Sequence, residues 1–448
     1  MSVALPSMPT QANRHFMKAV VDLSSLQEIA LSEDVYSATG VKLLARGAKV
    51  SAETYEKIIS HKLVKPIETS LEAGAPPSSE MLVRVAEEVL DSHPLLGGIC
   101  KWSQGRVTPM GMFKQCRWSP AAGTLLAVSF QRSEGAARHA VMSAMLAMGL
   151  ANAYRYNDAQ LMGAMCLSGL FHDVGEAYVD PSLTRSGHTL TANEWMSYAS
   201  HPIIGAALAR EVCQFDATTQ RAILEHHEFA DGFGYPRNLK GSAISVPGRL
   251  MALAEVLAAL ILKPSAASRI DIALKIMPGE HEAELVSLVN ELLREGRKLR
   301  IDDQEVFDDS ISASTQAIFL RIAGVLTVYD DLMSHSETLS KPALLILDEA
   351  FERFAEVQKA FASTGVAGIA ALGIKLEGEE LRESQFEAQC VLNEIAWRLQ
   401  KLSRELALKS AKMSEVDKRA TLRLANALSE VGGDVVPEPA DSGVVELF

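Results

Sequence analysis

Apolar positions along most of the chain recur every three to four residues, the spacing of helices that bury one face. That pattern predicts successive helices with short loops in "HAVMSAMLAMGLANAY", "DAQLMGAMCLSGLFHDVG", "TANEWMSYAS", "PIIGAALAREVC", "TQRAILEHHE" and "PGRLMALAEVLAALIL". Together they form an all-α core between about Arg138 and Met277. Downstream, Glu280–Glu295, Ser312–Leu332 and Lys341–Ala362 keep the helical spacing, and Glu380–Ser414 reads as one long amphipathic helix. The beginning of the chain differs. There, "IALSEDVYSATGVKLLARG" gives two apolar runs joined by a turn around Thr39 and Gly40, followed by a short helix with Ser51 as candidate cap.

The expected organisation is a small β-rich N-terminal domain over 16–70, a connecting helical region over 79–137, a helical bundle over 138–277, a C-terminal helical region over 278–430 and a disordered tail over 431–448. Within the connecting region only the helix from Ser79 to about His93 is assigned, because the stretch to Ser133 mixes Gly, Pro, Trp102 and Trp118 irregularly. The tail is rich in Gly, Pro and acids, a composition that buries too little apolar surface to order itself.

With 48% hydrophobic and 22% charged residues among 448, the chain has the composition of a folded protein. Its formal charge of −13 argues against non-specific attraction to nucleic acid or anionic membranes. No DNA-binding element stands out. The longest apolar stretch, beginning at Leu250, is too short to span a bilayer and carries Glu255, so no membrane insertion is expected. Five scattered cysteines, an odd number without a CxxC pair, fit reduced thiols and a cytoplasmic location.

Histidines change the picture. His172 and Asp173 form a dyad in "LFHDVGE" at the end of an apolar helix, where burial of both groups without a metal or partner would be costly. Imidazole and carboxylate suit Fe, Mn or Zn, and a carboxylate has two oxygens with which to bridge two ions. His139, His201 and the adjacent pair His226 and His227 each arrive on another predicted helix, as bundles build metal sites. Taken singly, His139 is open between a core or surface histidine and a ligand. His201, before Pro202, is open between a ligand and a residue at a helix start.

Three segments in order, "HDVGE", "LTANEW…HPIIGA" and "EHHEFADGFGYPRNLKG", resemble the HD-GYP family of the HD phosphohydrolase superfamily over Arg138–Met277. The "LSEDVYSATGVKLLARGAKVSAETYEKI" segment is similar, more weakly, to a small β-rich domain that often precedes such domains. The resemblance implies a mainly α fold: an HD-type helical bundle, here with the β-rich domain before it and added C-terminal helices. It also implies two or three divalent ions, iron or manganese, and hydrolysis of cyclic di-GMP to pGpG or GMP through a metal-bridged hydroxide. Carried over by position, it implies metal ligands at His139, His172, Asp173, His201, His226 and His227, with His172 and Asp173 as the catalytic pair.

The family's Asp in an "AD" pair is Glu255 here, taken as the seventh ligand, and the family's Lys after the dyad is Glu176, which could add a further ligand. Asp231, Gly232, Gly234, Tyr235 and Pro236 form the expected substrate-side loop; Arg237, Lys240 and Arg249 could contact phosphates. The family's "RPYR" run is reduced to "KPSAASR", in which Lys263 and Arg269 stand for its arginines. The leading expectation is therefore a phosphodiesterase. The alternative is a catalytically weak HD-GYP protein that acts as a cyclic dinucleotide receptor or docks a partner such as a diguanylate cyclase. The helix around "VLNEIAWRLQKLSRELAL" is expected to pack within the chain or to form a homodimer seam.

Overall fold

The computed structural model describes residues 7–93, 95–97, 108–155, 158–184, 192–262, 266–276, 279–296, 310–364, 366, 379–410 and 413–429. The expected tail over 431–448 lies outside them. Helix α1 (Arg14–Ser24), capped by the Asn13 side chain, opens a small N-terminal unit. Strand β1 (Ile29–Leu31) pairs antiparallel with β4 (Leu71–Ala73), and β2 (Val35–Tyr36) pairs with β3 (Lys42–Leu44) across the expected turn. Between the hairpin and β4 runs α2 (Ala52–Ile59), where Ser51 and Thr54 form a reciprocal capping box. Short strands alternating buried and exposed residues cover one face of a core without building a large sheet.

Helix α3 (Ser79–Ser92) follows, then α4 (Pro109–Gln115) and α5 (Pro120–Phe130) in the stretch whose sequence gave no clear period. Each of the latter two starts on a hydroxyl cap, Thr108 or Ser119, with proline at the first helical position. The bundle proper comprises α6 (Ala136–Tyr154), α7 (Ala159–Phe171), α8 (Ala192–Tyr198), α9 (His201–Glu211), α10 (Ala217–Glu225) and α11 (Val246–Ile261). Helices α6 and α7 are apolar nearly all round, as central helices must be. They approach so closely that a Cβ on Gly169 would lie 2.3 Å from Ala144 Cα. That approach brings the first turn of α6 next to the end of α7.

A single apolar cluster runs from Met8 through the N-terminal unit and the bundle to Leu293. Phe16 of α1 stacks on Tyr178 at 4.9 Å, and the Tyr178 hydroxyl donates to the buried Glu68 carboxylate at 2.6 Å. The N-terminal unit thus packs on the short turn of 3-10 helix Val174–Tyr178 that follows Asp173. Helices α12 (Ala266–Ile276) and α13 (Ala283–Gly296) lead to α14 (Ser310–Ser334), α15 (Lys341–Ser363), α16 (Glu379–Ser410) and α17 (Glu415–Ser429). These last four share a second core that includes Val325, Phe354, Leu399 and Leu428, so α16 packs its apolar face within the chain. The fold is mainly helical, a helical bundle with two small N-terminal sheets and added C-terminal helices. Among the described residues, no helix is long and apolar enough to cross a membrane.

Candidate metal centre

Seven of the expected ligands converge although they come from five separate places in the chain. His139 lies in the first turn of α6, His172 and Asp173 just past the end of α7, and His201 opens α9. His226 and His227 follow the end of α10, and Glu255 sits midway along α11. Two groups result, Asp173 with His201, His226 and His227, and His139 with His172 and Glu255.

Asp173 joins them. Its Oδ2 faces His172 Nε2 at 3.0 Å and His139 Nε2 at 3.7 Å, while its Oδ1 faces His201 Nε2 at 3.6 Å and His226 Nε2 at 3.7 Å. The Glu255 carboxylate spans the first group in the same way, with Oε1 3.1 Å from His139 Nε2 and Oε2 3.1 Å from His172 Nε2. The longer side chain of Glu therefore reaches both imidazoles from α11.

Helix ends orient the rings. His172, His201 and His226 each direct Nδ1 at the carbonyl three residues earlier, Gly169, Tyr198 and Ile223, at 2.9, 2.9 and 2.6 Å. A carbonyl can only accept, so Nδ1 carries the hydrogen in each ring and a neutral ring leaves Nε2 with a lone pair. Yet His201 Nε2 and His226 Nε2 stand 3.2 Å apart, and so do His139 Nε2 and His172 Nε2. In the His201–His226 pair, where both Nδ1 atoms are tied to carbonyls, two lone pairs at that distance repel unless a cation lies between them. Two nitrogens each about 2.1 Å from one ion and at right angles to it would stand about 3 Å apart. The donor set and its spacing thus fit divalent ions, with second ring nitrogens tied to the backbone as metal-bound histidines require.

Electrostatics agree with a site built for cations. Burial pushes the carboxyls of Asp173 and Glu255 up, but the imidazoles around them outweigh it and hold both well below the usual range. Burial lowers His172, but Asp173 and Glu255 more than compensate and raise it. His226 is pushed down to about 3 by burial and by His172 and His201. Burial also lowers His227, helped by His226 and His201.

The loop after the histidine pair closes one side. Tyr235 stacks on His227 at 4.5 Å and meets the Trp195 edge at 5.3 Å. The close approach is possible because position 234 lacks a Cβ, which would lie 2.3 Å from the His227 carbonyl oxygen. At Gly232 φ is +88°, in the left-handed region that favours glycine. Pro236 follows Tyr235 through a cis peptide bond. Asp231 does not reach the histidines: its carboxylate accepts the Phe233 amide at 2.8 Å and pairs with Arg353 of α15 at 2.9 Å.

Other expected site residues are likewise engaged elsewhere. Glu176 belongs to neither ligand group, since its carboxylate is held by Arg132 and by the Tyr198 hydroxyl at 2.7 Å. Arg249 pairs with Glu282, and Arg237 pairs with buried Glu225 at 2.6 Å. Lys263 lies outside the described residues.

Residues that sequence reasoning left aside do much of the positioning. Glu225 also accepts the Ser245 amide at 2.8 Å, which ties the end of α10 to the start of α11. The Glu228 carboxylate accepts the Arg237 and Leu239 amides at 2.7 and 2.8 Å and so staples the loop. Acids flanking two histidines in "EHHE" were the available signal. Arg132 and Arg353 had none, because their partners are remote in sequence.

A family model described as an HD domain matches residues 125–284, the span that holds all seven converging residues. A cyclic di-GMP phosphodiesterase of Vibrio cholerae is similar, 42% identical over 100 residues that cover 21% of this chain and 20% of that protein. The chain carries an HD domain of the HD-GYP family. A second similar protein is the 3'3'-cGAMP-specific phosphodiesterase 1 of the same organism, 28% identical over 192 residues, 43% of this chain and 41% of that one. The chain thus matches less than half the length of these curated relatives. A solved HDG"Y"P protein from Bdellovibrio bacteriovorus overlaps 59% of this chain and 95% of its own at 18% identity, with a TM-score of 0.33.

Proposed function

We propose that the HD-GYP domain is a metal-dependent phosphodiesterase acting on cyclic dinucleotides, with cyclic di-GMP as the first substrate to test and 3'3'-cGAMP as the second. The observation that carries this reading is Asp173, whose two oxygens face two histidine groups at once. When bound, divalent ions at these groups supply Lewis-acid activation of water and neutralise charge on phosphate oxygens. Iron or manganese is the proposed metal, because five imidazoles and two carboxylates form a mixed nitrogen and oxygen donor set.

The chain's own contribution is positioning. The backbone carbonyls of Gly169, Tyr198 and Ile223 hold three imidazoles with Nε2 toward the cavity. Asp173, about a quarter exposed while the histidine rings around it are nearly buried, marks the side from which a phosphodiester reaches the site. Tyr235, against His227, limits solvent on the loop side. The scattered, odd set of cysteines supports a cytoplasmic setting for the reaction.

The test is anaerobic purification followed by turnover of cyclic di-GMP and 3'3'-cGAMP with added Fe or Mn, beside a His172→Ala, Asp173→Ala variant. Turnover by the wild type that the variant lacks is expected. A metal-loaded wild type that cleaves neither compound would contradict the proposal; if it still bound them, it would be a receptor.

A further inference from the structure

Cations near the loop are mostly neutralised by neighbouring acids. Arg132 pairs with Glu176, Arg237 with Glu225, Arg249 with Glu282 and Arg353 with Asp231, so none of these four is left to meet an anionic ligand without giving up a partner. Arg404 differs. It projects from α16, beyond the span that the HD family model matches, and its guanidinium lies 5.5 Å from the Trp195 ring centroid. Among the described residues it has no carboxylate partner and no hydrogen-bond acceptor. Burial lowers its pKa, and the charges of Tyr235 and Tyr198 offset this only in part.

The Tyr235 hydroxyl also lacks a protein hydrogen-bond partner among the described residues. Two donors, one cationic and one neutral, are therefore unmatched on the same wall. They stand outward from the metal centre in a chain of ring contacts, His227 to Tyr235 at 4.5 Å, Tyr235 to Trp195 at 5.3 Å, and Trp195 to Arg404. Arginine suits a phosphate because its planar fork can donate two parallel hydrogen bonds and its charge is weakly hydrated. Proximity to an aromatic ring favours the cation even where it is partly desolvated.

We infer that Arg404, with the Tyr235 hydroxyl, binds the non-reacting phosphate of a cyclic dinucleotide whose other phosphate lies at the metal centre. The separation from His227 by three successive contacts is the reason for assigning the second phosphate rather than the first. The C-terminal helices then supply part of the substrate site, and a diester with a single phosphate has nothing to place there. This rests on the phosphodiesterase reading above.

The experiment compares the full chain with Arg404→Gln and Arg404→Lys, loaded with manganese, on cyclic di-GMP and on bis(4-nitrophenyl) phosphate, which has one phosphate. The equilibrium dissociation constant for cyclic di-GMP is measured alongside KM and kcat. Arg404→Gln is expected to weaken binding and raise KM about tenfold, the loss of one charge-assisted contact. The KM change should exceed the kcat change, Lys should restore part of it, and the effect should be larger for cyclic di-GMP than for the single-phosphate diester. Metal content and thermal unfolding check that the variants are folded and loaded. Equal binding of cyclic di-GMP by wild type and Arg404→Gln would overturn the inference while leaving the phosphodiesterase reading intact. Equal losses on both substrates would overturn it too, since that is the mark of a structural role. A wild type that neither binds nor cleaves a cyclic dinucleotide would overturn both.

Discussion

Arg353 Nη2 lies 2.9 Å from Asp231 Oδ2, and the same guanidinium carbon sits 3.2 Å from the Phe233 ring centroid. One arginine of α15 thus grips both ends of the turn that leads to Tyr235, and both members of the ion pair are largely buried. Removing it strands Asp231. Arg353→Ala should cost about 2 kcal/mol, below the range for a fully buried pair because some solvent reaches this one. KM should rise because the loop is no longer held. Arg353→Lys should recover charge without the planar stack and fall between. Urea unfolding and steady-state kinetics check this, and an Arg353→Ala protein with unaltered midpoint and KM would show that the grip does not matter.

Glu280 makes the corresponding contact on α16. Arg398 reaches its Oε2 at 2.8 Å and Lys401 its Oε1 at 3.2 Å, while its backbone carbonyl accepts the Ala230 amide at 2.9 Å. Burial raises the Glu280 carboxyl, but Arg398 and Lys401 outweigh it and bring it down to about 2. A depressed carboxyl contributes stability that is present above its unfolded value of 4.5 and lost as pH falls toward 2. Glu280→Gln should destabilise by about 3 kcal/mol at pH 7. That deficit should shrink in acid, as unfolding curves across this range will show.

Glu405 has the opposite sign. Its Oε2 is buried without a hydrogen-bond partner, and burial pushes the carboxyl up to about 8 despite Lys401 and Arg353 nearby. A raised carboxyl is most favourable below the unfolded value of 4.5 and loses that contribution as pH climbs through 8. Glu405→Gln should therefore unfold at higher denaturant than wild type above pH 8, by about 1 kcal/mol or more. Near pH 5 the two should converge. A constant difference from pH 5 to 9, or one that shrinks as pH rises, would contradict this assignment.

Gly234 is the tightest point of the loop. A Cβ there would lie 2.3 Å from the His227 carbonyl oxygen and 2.4 Å from Glu228 Cα, backbone atoms that cannot step aside. Gly234→Ala should break the hydrogen bond that the Tyr235 N–H donates to the His227 carbonyl, now 2.9 Å, and cost about 1–3 kcal/mol. Thermal unfolding should register the cost, and turnover should fall because Tyr235 loses its seat on His227.

Much of the site was legible because ligand chemistry repeats along the chain. His139, His172, Asp173, His201, His226 and His227 each stand at a predicted helix start or end, and the structure brings them together. Glu255 was readable as well, since an acid in an otherwise apolar helix needs partners, and His139 and His172 supply them. Positions that depend on remote partners were not. Glu176 and Asp231 look available in sequence, yet Arg132 and Arg353, 44 residues before the first and far downstream of the second, engage them. Helices α4 and α5 were missed because their apolar period is short, although Thr108-Pro109 and Ser119-Pro120 carried the start signal. The central helices and the hairpin around Gly40 were legible from period alone.

The most direct measurement is the number of divalent ions bound per chain, by elemental analysis of anaerobically purified wild type and Asp173→Asn. With Asp173 facing both histidine groups, the wild type should hold about two ions and the variant about one or fewer. A wild type without bound metal after loading, or an Asp173→Asn protein with the wild-type number of ions, would contradict the bridging role.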